Sequence, residues 1–226
     1  RKATYNLESE EVKQYLQMDK LTAAMHYVAG WLFGYKFVPV PKGAVPVFHE
    51  DVHVWEVLHQ ETGEHIGLWY LDPYAREGKR SGAWATTYRS FSTFDGRANV
   101  LASNNSNFIK PAPGEPLLIS WDDATTFFLE FGHALHFFAS NVAYPTLNSG
   151  VRDYTEFQSQ LLERWLSTDA VIDQFLVHQE TGAPMPKKLV AKIKKAATFN
   201  QGFATTEYLA SALIDMKIHL ADPANL

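Results

Sequence analysis

The fold of this chain is decided by the stretch Ser120-Trp121-Asp122-Asp123-Ala124-Thr125-Thr126-Phe127-Phe128-Leu129-Glu130-Phe131-Gly132-His133-Ala134-Leu135-His136. Ser120 is a good N-cap, because its side chain can accept a hydrogen bond from a free backbone N–H of the first turn. Asp122 and Asp123 add acidic side chains where the helix dipole favours them. The stretch therefore predicts a long helix that runs to about Asn141.

The residues before this helix change their period. The apolar positions Leu21, Met25, Val28 and Leu32 recur at helical spacing and end at Gly34, which predicts an earlier helix. Two runs rich in Val, Trp, Ile and Tyr, at residues 53–58 and 65–71, flank a glycine-containing turn and predict a β-hairpin. Short strands are expected at residues 83–94, 100–102 and 107–109, and further helices at 153–167, 169–180, 186–197 and 204–220.

This order of elements predicts an α+β fold, with a small, mainly antiparallel sheet followed by a helical block. We expect a single domain over residues 1–226, with a helix and the β-rich part in 1–120 and the helical part in 121–226. Of the 226 residues, 46% are hydrophobic and 14% aromatic, which excludes intrinsic disorder.

Charge and cysteine content narrow the possible functions. The net charge is −5, and the densest basic segment, at residues 187–195, is typical of one solvated helix face, so nucleic acid is not the expected partner. No apolar run has membrane-spanning length, so an integral membrane protein is not expected either. The chain has no cysteine, so any metal site must use His, Asp or Glu. The expected location is the cytoplasm, with the periplasm left open.

One intact H-E-x-x-H zinc motif is present, at residues 49–53. The motif needs a helix, because only a helix places residues i and i+4 on one face toward one ion. Pro46 and the β-branched residues that follow predict a strand instead, and on a strand His49 and His53 would lie roughly 13 Å apart. Two solvated histidines at a strand entry are the preferred interpretation, and a zinc site is the alternative.

The second candidate lies inside the predicted helix. Glu130 and His133 keep the spacing of the motif, but Leu129 stands where the first histidine belongs. Glu156, twenty-three residues after His133, opens the next predicted segment and suits a carboxylate ligand. The alternative for His133 is a buried, hydrogen-bonded histidine on an apolar helix.

The motifs around Glu130 and His133 favour the zinc-ligand interpretation of His133. The string 129–136 resembles the H-E-F-G-H-A-L-H helix of the thimet oligopeptidase and peptidyl-dipeptidase family of zinc metallopeptidases. Further segments resemble the same family in the same order, over roughly residues 30–220: 67–80 with 82–84, 107–108 with 110–111, 153–156 with 159–165, and 199–209. The last of these is most similar to the bacterial peptidyl-dipeptidase branch.

The resemblance implies a function and a set of site residues. It implies one zinc ion bound by His133 and Glu156, with Glu130 as the general base and acid that hydrolyses short peptides. Asp153 is expected either to orient a ligand or to serve as an acidic residue of a helix N-terminus. His136 is expected to give structural support.

The resemblance also implies where a substrate would lie. The strand through Asn107 and Phe108 is expected to hold an extended peptide by main-chain pairing. Within the family, dipeptide release from the C-terminus is slightly favoured over internal cleavage.

Two departures from the family argue against activity of this chain. Leucine cannot coordinate zinc, so position 129 removes one of three protein ligands and zinc affinity should fall strongly. The chain also resembles only the central catalytic part of a larger, mostly α-helical peptidase. We therefore expect an inactive chain that associates with missing segments of the same protein or with itself. The alternative is a non-catalytic, peptide-binding pseudo-enzyme.

Overall fold

A computed structural model describes residues 2–148 and 150–225, without the side chains of Lys2 and Asn225. The described residues form one sheet of five strands: β1 (Tyr35–Pro39), β2 (His53–His59), β3 (His65–Tyr74), β4 (Trp84–Arg89) and β5 (Val100–Phe108). The α-helices of this part of the chain are α1 (Lys2–Tyr5), α2 (Ser9–Lys13), α3 (Met18–Phe33), α4 (Trp121–Ala139), α5 (Phe157–Glu163), α6 (Asp169–Phe175), α7 (Lys187–Ala196) and α8 (Gln201–Leu220). The predicted α+β class is confirmed.

The sheet has the strand order β1-β2-β3-β5-β4. Its neighbours are antiparallel except for β3 and β5, which run parallel. The predicted hairpin is confirmed as β2 and β3, which place Trp55 opposite Trp69. Gly67 allows β3 to lie against β5, because a Cβ at this position would overlap the Val100 carbonyl. Because β4 is last in the strand order, it is an edge strand of the sheet, whereas β5 lies inside it.

The chain divides into two compact units, one formed by Ser9–Met185 and one that combines Arg1–Glu8 with Pro186–Leu226. The first unit contains the whole sheet and the helices α2 to α6. In it α4 packs against β3, β4, β5, α3 and α5, and buries aromatic side chains, including Phe127, Phe128 and Phe131. The second unit contains α1, α7 and α8. The expected single domain over 1–226 stays a prediction.

The two long helices of the first unit follow the sequence closely. α3 ends at Gly34, which adopts the left-handed conformation at φ 66° and closes the helix. α4 begins with a capping box: the Asp123 N–H donates to Ser120 Oγ at 3.0 Å, and the Ser120 N–H donates to the Asp123 carboxylate at 3.2 Å. These caps explain why both helix boundaries were predictable.

Four predicted elements have wrong boundaries. The strands expected at 100–102 and 107–109 are one continuous strand, β5. The helix expected at 153–167 is a 3-10 turn (Arg152–Tyr154), α5, and a second 3-10 turn (Arg164–Ser167). The interruption falls at Glu156, whose backbone is not helical at φ −92° and ψ 2°. The helix expected at 169–180 ends at Phe175.

Within the described part of the chain, every helix is too short or too polar to cross a bilayer. The residues of the intact H-E-x-x-H motif do not form a helix: residues 48–51 are bends and turns, and His53 begins β2. His49 Nδ1 accepts a hydrogen bond from the Asp51 N–H at 3.2 Å, which closes this turn. This conformation agrees with the prediction that the motif enters a strand.

Candidate active site

One face of α4 forms the floor of a cleft of about 530 Å³. Glu130, His133 and His136 recur every three residues and follow an inclined row on the helix surface, and all three line the cleft. Edge strand β4 lines the cleft with Trp84 and Ala85, among other residues. The cleft is also lined by residues on the approach to α5 and at its start, namely Asn148, Gly150, Tyr154, Thr155, Glu156 and Gln158. The structure thus brings together Glu130, His133, His136 and Glu156.

Gly132 explains how the start of α5 comes so close to α4. A Cβ on Gly132 would lie 2.7 Å from Ser159 Cα and 3.2 Å from the Gln158 carbonyl oxygen, which is closer than real side chains pack. With no side chain at this position, the backbone of α5 rests directly on α4. Glu156, the residue before α5, is therefore placed beside His133.

His133 and Glu156 meet directly in the cleft. His133 Nε2 lies 3.2 Å from Glu156 Oε2. The same carboxylate oxygen accepts a hydrogen bond from Ser159 Oγ at 2.7 Å, and Ser159 is fully buried. Two separate contacts hold Glu156 Oε2, and one of them comes from the buried hydroxyl of Ser159. The carboxylate of Glu156 is thus positioned by α5 and α4 together.

Glu130 is buried beside this pair, with 9% of its surface exposed. Burial, followed by the negative charge of Glu156, raises the pKa of Glu130 to about 7, and a hydrogen bond from the Ala85 N–H opposes this rise. The backbone of Glu130 is held as well, because Asn104 Nδ2 donates to its carbonyl oxygen at 2.5 Å. Asn104 is itself fixed by Trp69, whose Nε1–H donates to Asn104 Oδ1 at 2.6 Å.

A group with a pKa near neutrality can take up and release a proton at nearly equal cost. Glu130 therefore has the property that a general acid and base needs, and it stands in a cleft large enough for part of a peptide. The raised pKa of Glu130 results from its burial on α4 and from the charge of Glu156. The sequence motif does not specify either of these causes directly. The arrangement can bind a polar substrate and exchange protons with it.

His136 lies one turn after His133 and is held by a different residue. Its Nδ1 lies 2.7 Å from Gln158 Nε2. Burial, followed by the charge of His133, lowers the pKa of His136, so its neutral form is favoured. The expected role of His136 was structural support, and the contact with Gln158 agrees with a fixed ring that also lines the cleft.

The donor set does not fit the three-ligand zinc site that the family resemblance implies. Two ligands of a tetrahedral zinc site lie about 3.3 Å apart, so the contact between His133 Nε2 and Glu156 Oε2 has the separation of such a pair. Position 129, one turn before His133, offers only the apolar side chain of Leu129. Among the described residues, no three His, Asp or Glu side chains form a group that could hold a metal ion.

Asp153 does not join this group. It lies in the exposed 3-10 turn Arg152–Tyr154 and makes no hydrogen bond or ion pair with another described residue. Its two expected roles, orientation of a ligand and an acidic residue at a helix N-terminus, stay predictions.

The residues of the expected substrate strand lie in the sheet, and their role in peptide binding stays a prediction. Asn107 and Phe108 lie in β5, which is inside the sheet, and Phe108 is already paired with Tyr74 of β3. Asn107 Nδ2 donates to the carbonyl oxygens of Arg80 and Gly82 at 2.8 and 2.7 Å, so this side chain holds the loop before β4. The strand that borders the cleft with a free edge is β4.

Sequence reasoning missed three residues that position the site: Asn104, Gln158 and Ser159. Asn104 is of a residue type that favours turns, yet it is buried at 1% exposure in the middle of β5. The signal that could have revealed it is its place between apolar residues 100–102 and Phe108, where an unpaired polar side chain would be costly. Gln158 and Ser159 follow Glu156 closely, but only the contact between α4 and α5 shows their role.

Comparison with known proteins gives a consistent set of relatives. The model of Peptidase family M3 matches residues 1–226. The chain is 37% identical to a dipeptidyl carboxypeptidase of Escherichia coli K12 over 222 residues, which is 97% of this chain and 32% of the relative. It is 31% identical to oligopeptidase A of the same organism, over 95% of this chain and 32% of the relative. It is 30% identical to a thimet-like oligopeptidase of Dictyostelium discoideum, over 98% and 34%. The chain spans about a third of the length of these relatives.

Proposed function

The chain belongs to peptidase family M3, and from this premise we propose that its cleft is the catalytic region of a zinc peptidase for short peptides, inactive in this chain because one zinc ligand is missing. The observation that carries the proposal is the meeting of Glu130, His133 and Glu156 in one cleft, with leucine at position 129.

Peptide binding is supported by the edge of the sheet. β4 has a neighbour only on its β5 side, so its other side can pair with an extended peptide in the manner of an added strand. The Ala85 N–H points away from β5 and into the site, where it reaches the Glu130 carboxylate. A peptide bound along β4 would therefore pass directly over Glu130. This replaces β5 as the proposed peptide-binding strand.

The role of Glu130 in this proposal is proton transfer. It would accept a proton from the attacking water and return it to the leaving amine, and a pKa near 7 suits both steps at neutral pH. His133 and Glu156 would hold zinc, which needs a third ligand from position 129. We derive no step through the metal, because the residues present do not complete its site.

The experiment compares this chain with Leu129→His. After dialysis against micromolar zinc, we expect about one zinc per molecule for Leu129→His and almost none for the unchanged chain. We also expect cleavage of a short blocked peptide only in the Leu129→His chain. The matched control is Leu129→His with Glu130→Gln, which should keep zinc and lose cleavage. Equal zinc contents of Leu129→His and the unchanged chain would contradict the proposed site. They would favour His49 and His53 as the zinc ligands.

A second candidate is a peptide-binding pseudo-enzyme. It is favoured by Leu129, which offers no zinc ligand, and by Glu156 Oε2, which contacts both His133 Nε2 and Ser159 Oγ. The same experiment separates the two candidates. The pseudo-enzyme is the better description under two joint outcomes. Leu129→His would bind zinc but leave the peptide uncleaved, and the unchanged chain would bind the peptide.

The type of peptidase and its surroundings are also proposals. The relatives include a dipeptidyl carboxypeptidase and an oligopeptidase A, and we propose dipeptide release for the completed site because the former has the higher identity. Mass spectrometry of products from Leu129→His would show either C-terminal dipeptides or internal fragments. We propose the cytoplasm as the location, which fractionation of cells that carry the full gene would test.

A further inference from the structure

His136 is anchored on one side of its ring only. Its Nδ1 contacts Gln158 Nε2 at 2.7 Å, and Gln158 is itself placed by the close packing of α5 on Gly132. The family resemblance gives His136 no contact with substrate, and the zinc proposal does not use it. Its position on the floor of the cleft, one turn beyond His133, therefore requires a separate explanation.

The hydrogen bonds of Gln158 determine which nitrogen of His136 carries the proton. Gln158 Nε2 also lies 3.1 Å from the carbonyl oxygen of Thr155. A carbonyl oxygen only accepts, so the Gln158 atom that faces it must be the amide nitrogen, which only donates. The same nitrogen donates to His136 Nδ1, which must therefore present its lone pair. In a neutral imidazole the proton is then on Nε2.

The Nε2–H of His136 is open toward the cleft. No described residue accepts a hydrogen bond from it, and the sealed, unpartnered side-chain atoms of the described chain are Thr22 Oγ1 and His26 Nε2. Because His136 Nε2 is not among them, it is accessible to solvent. It is thus a donor of fixed direction on a residue that lines the cleft, and it has no acceptor among the described residues.

The spacing along α4 places this donor relative to the chemistry. Glu130 and His136 are six residues apart, which is about 9 Å along a helix. An extended peptide advances about 3.3 Å per residue, so 9 Å corresponds to two or three residues. We propose that His136 is a substrate-positioning residue, whose Nε2–H donates to a main-chain carbonyl oxygen of the bound peptide two or three residues from the bond at Glu130.

A carbonyl oxygen is the acceptor that fits this donor. Burial and the nearby His133 lower the pKa of His136, so the neutral ring is favoured, and its Nε2–H can donate to a carbonyl oxygen, which only accepts. The inference rests on the proposed peptide-binding function and adds to it one specific contact. It also gives Gln158 a function, which is to fix the tautomer of His136.

The first measurement reads the tautomer directly. In the full chain labelled with 15N at histidine, we expect long-range 1H–15N spectra near pH 8 to show His136 protonated at Nε2. Gln158→Leu should mix the two tautomers without changing the other histidines. A proton on Nδ1 in the unchanged chain would overturn the inference, whatever the outcome for peptide binding.

The second measurement is binding of a fluorescent, N-acetylated and C-amidated hexapeptide of alanine and serine to the unchanged chain. Loss of one hydrogen bond should weaken binding by roughly fivefold to tenfold in His136→Leu. His136→Gln keeps an N–H donor near the position of Nε2 and should recover most of the affinity. His178→Leu is the matched control, because His178 Nδ1 is also fixed by a local hydrogen bond but lies outside the cleft.

A set of the same hexapeptide with single amides replaced by (E)-alkenes locates the acceptor. One position should weaken binding to the unchanged chain and have no further effect in His136→Leu. If the unchanged chain binds the peptide and His136→Leu binds it equally well, the inference is wrong and the proposed function stands. If the unchanged chain binds no peptide at any concentration, the proposed function fails, and the inference fails with it.

Discussion

Two helices of similar length and apolar content, α4 and α8, have opposite surroundings. α4 has 19 residues and buries nine of them, whereas none of the 20 residues of α8 is buried. The sequence predicts both as helices, α4 from its N-cap and acidic first turn and α8 as residues 204–220. The difference shows that local signals specify a helix, while burial depends on what the rest of the unit provides. α4 has a sheet and a second helix to pack against, and it is α4 that carries the site.

The largest expected difference between the two helices concerns a phenylalanine in each. Phe131 of α4 is fully buried, and its ring lies 5.1 Å from that of Trp69. Phe131→Ala should lower the free energy of unfolding by about 4 kcal/mol, because it leaves a cavity among aromatic rings. Phe203→Ala on α8, where the ring is 71% exposed, should change it by less than about 0.5 kcal/mol. Urea unfolding of both variants measures these changes. Equal effects would contradict the difference in burial between α4 and α8.

A glycine in each helix gives the next prediction. Gly132→Ala would force a Cβ to within 2.7 Å of Ser159 Cα and should cost about 3 kcal/mol. It should also move Glu156 away from His133, which zinc binding by Gly132→Ala in the Leu129→His background would reveal as a loss. Gly202→Ala on α8 meets nothing within 4 Å. It should be neutral or stabilise by up to about 1 kcal/mol, because alanine favours a helix. A destabilised Gly202→Ala would show that α8 is covered in solution.

A glutamate in each helix tests the pH dependence. Burial and Glu156 raise the pKa of Glu130 from the ordinary value of 4.5 to about 7. Between these pH values the folded chain holds a proton that the unfolded chain has lost, so the free energy of unfolding falls as pH rises through this window. In metal-free buffer, Glu130→Gln should therefore be more stable than the unchanged chain by about 2 kcal/mol near pH 8. The gain should vanish near pH 4.

Glu207→Gln on the exposed surface of α8 is the control for this titration. It should follow the unchanged chain at every pH, within about 0.5 kcal/mol. A pH-independent gain in Glu130→Gln would contradict the assigned cause, since it would indicate better packing of the amide rather than relief of a buried charge.

Substitutions on the surface of α8 should have the smallest effect on stability and the clearest effect on association. Its side chains Leu209, Leu213, Met216 and Leu220 recur at spacings of four, three and four, and all are exposed. In an antiparallel pair of two such helices, Leu209 would face Leu220 and Leu213 would face Met216. We therefore propose a second copy of the chain as the partner of this stripe.

Sedimentation velocity tests that partner. The unchanged chain should form dimers at micromolar concentration, and Leu213→Glu should remain monomeric with nearly unchanged stability. Ser211→Glu, on a different face of the same helix, is the matched control and should still dimerise. Identical sedimentation of the unchanged chain, Leu213→Glu and Ser211→Glu would contradict the proposal that a second copy is the partner.

The predicted part of the fold is the part with local signals. α3 and α4 have caps, and the hairpin has a glycine turn between two β-rich runs, so residues close in sequence determine these elements. β5 was split in two because Ser103, Asn104, Asn105 and Ser106 are polar and typical of turns, yet all four are buried. Their polar groups are satisfied by distant partners, for example by Trp69 and Glu130 for Asn104. Such long-range pairing leaves no local pattern.

The same distinction applies to the site. Glu130, His133 and Glu156 could be named from motif spacing and family resemblance, and the structure places them together. That Leu129 occupies the position of the motif's first histidine was also visible in the sequence. The groups that hold these residues were not, because Ser159 and Gln158 act only after α5 has packed on Gly132. The edge position of β4 depends on strand order, which the short apolar runs do not specify.

The hydrogen bond from the Ala85 N–H to Glu130 has a consequence for how this region tolerates mutation. The donor belongs to the main chain, so every amino acid except proline supplies it. Scanning substitutions that replace side chains will pass over position 85 and record it as unimportant. Only Ala85→Pro, or an ester in place of this peptide bond, would remove the donor. A search for important residues by side-chain mutagenesis will therefore underestimate what β4 contributes to the site.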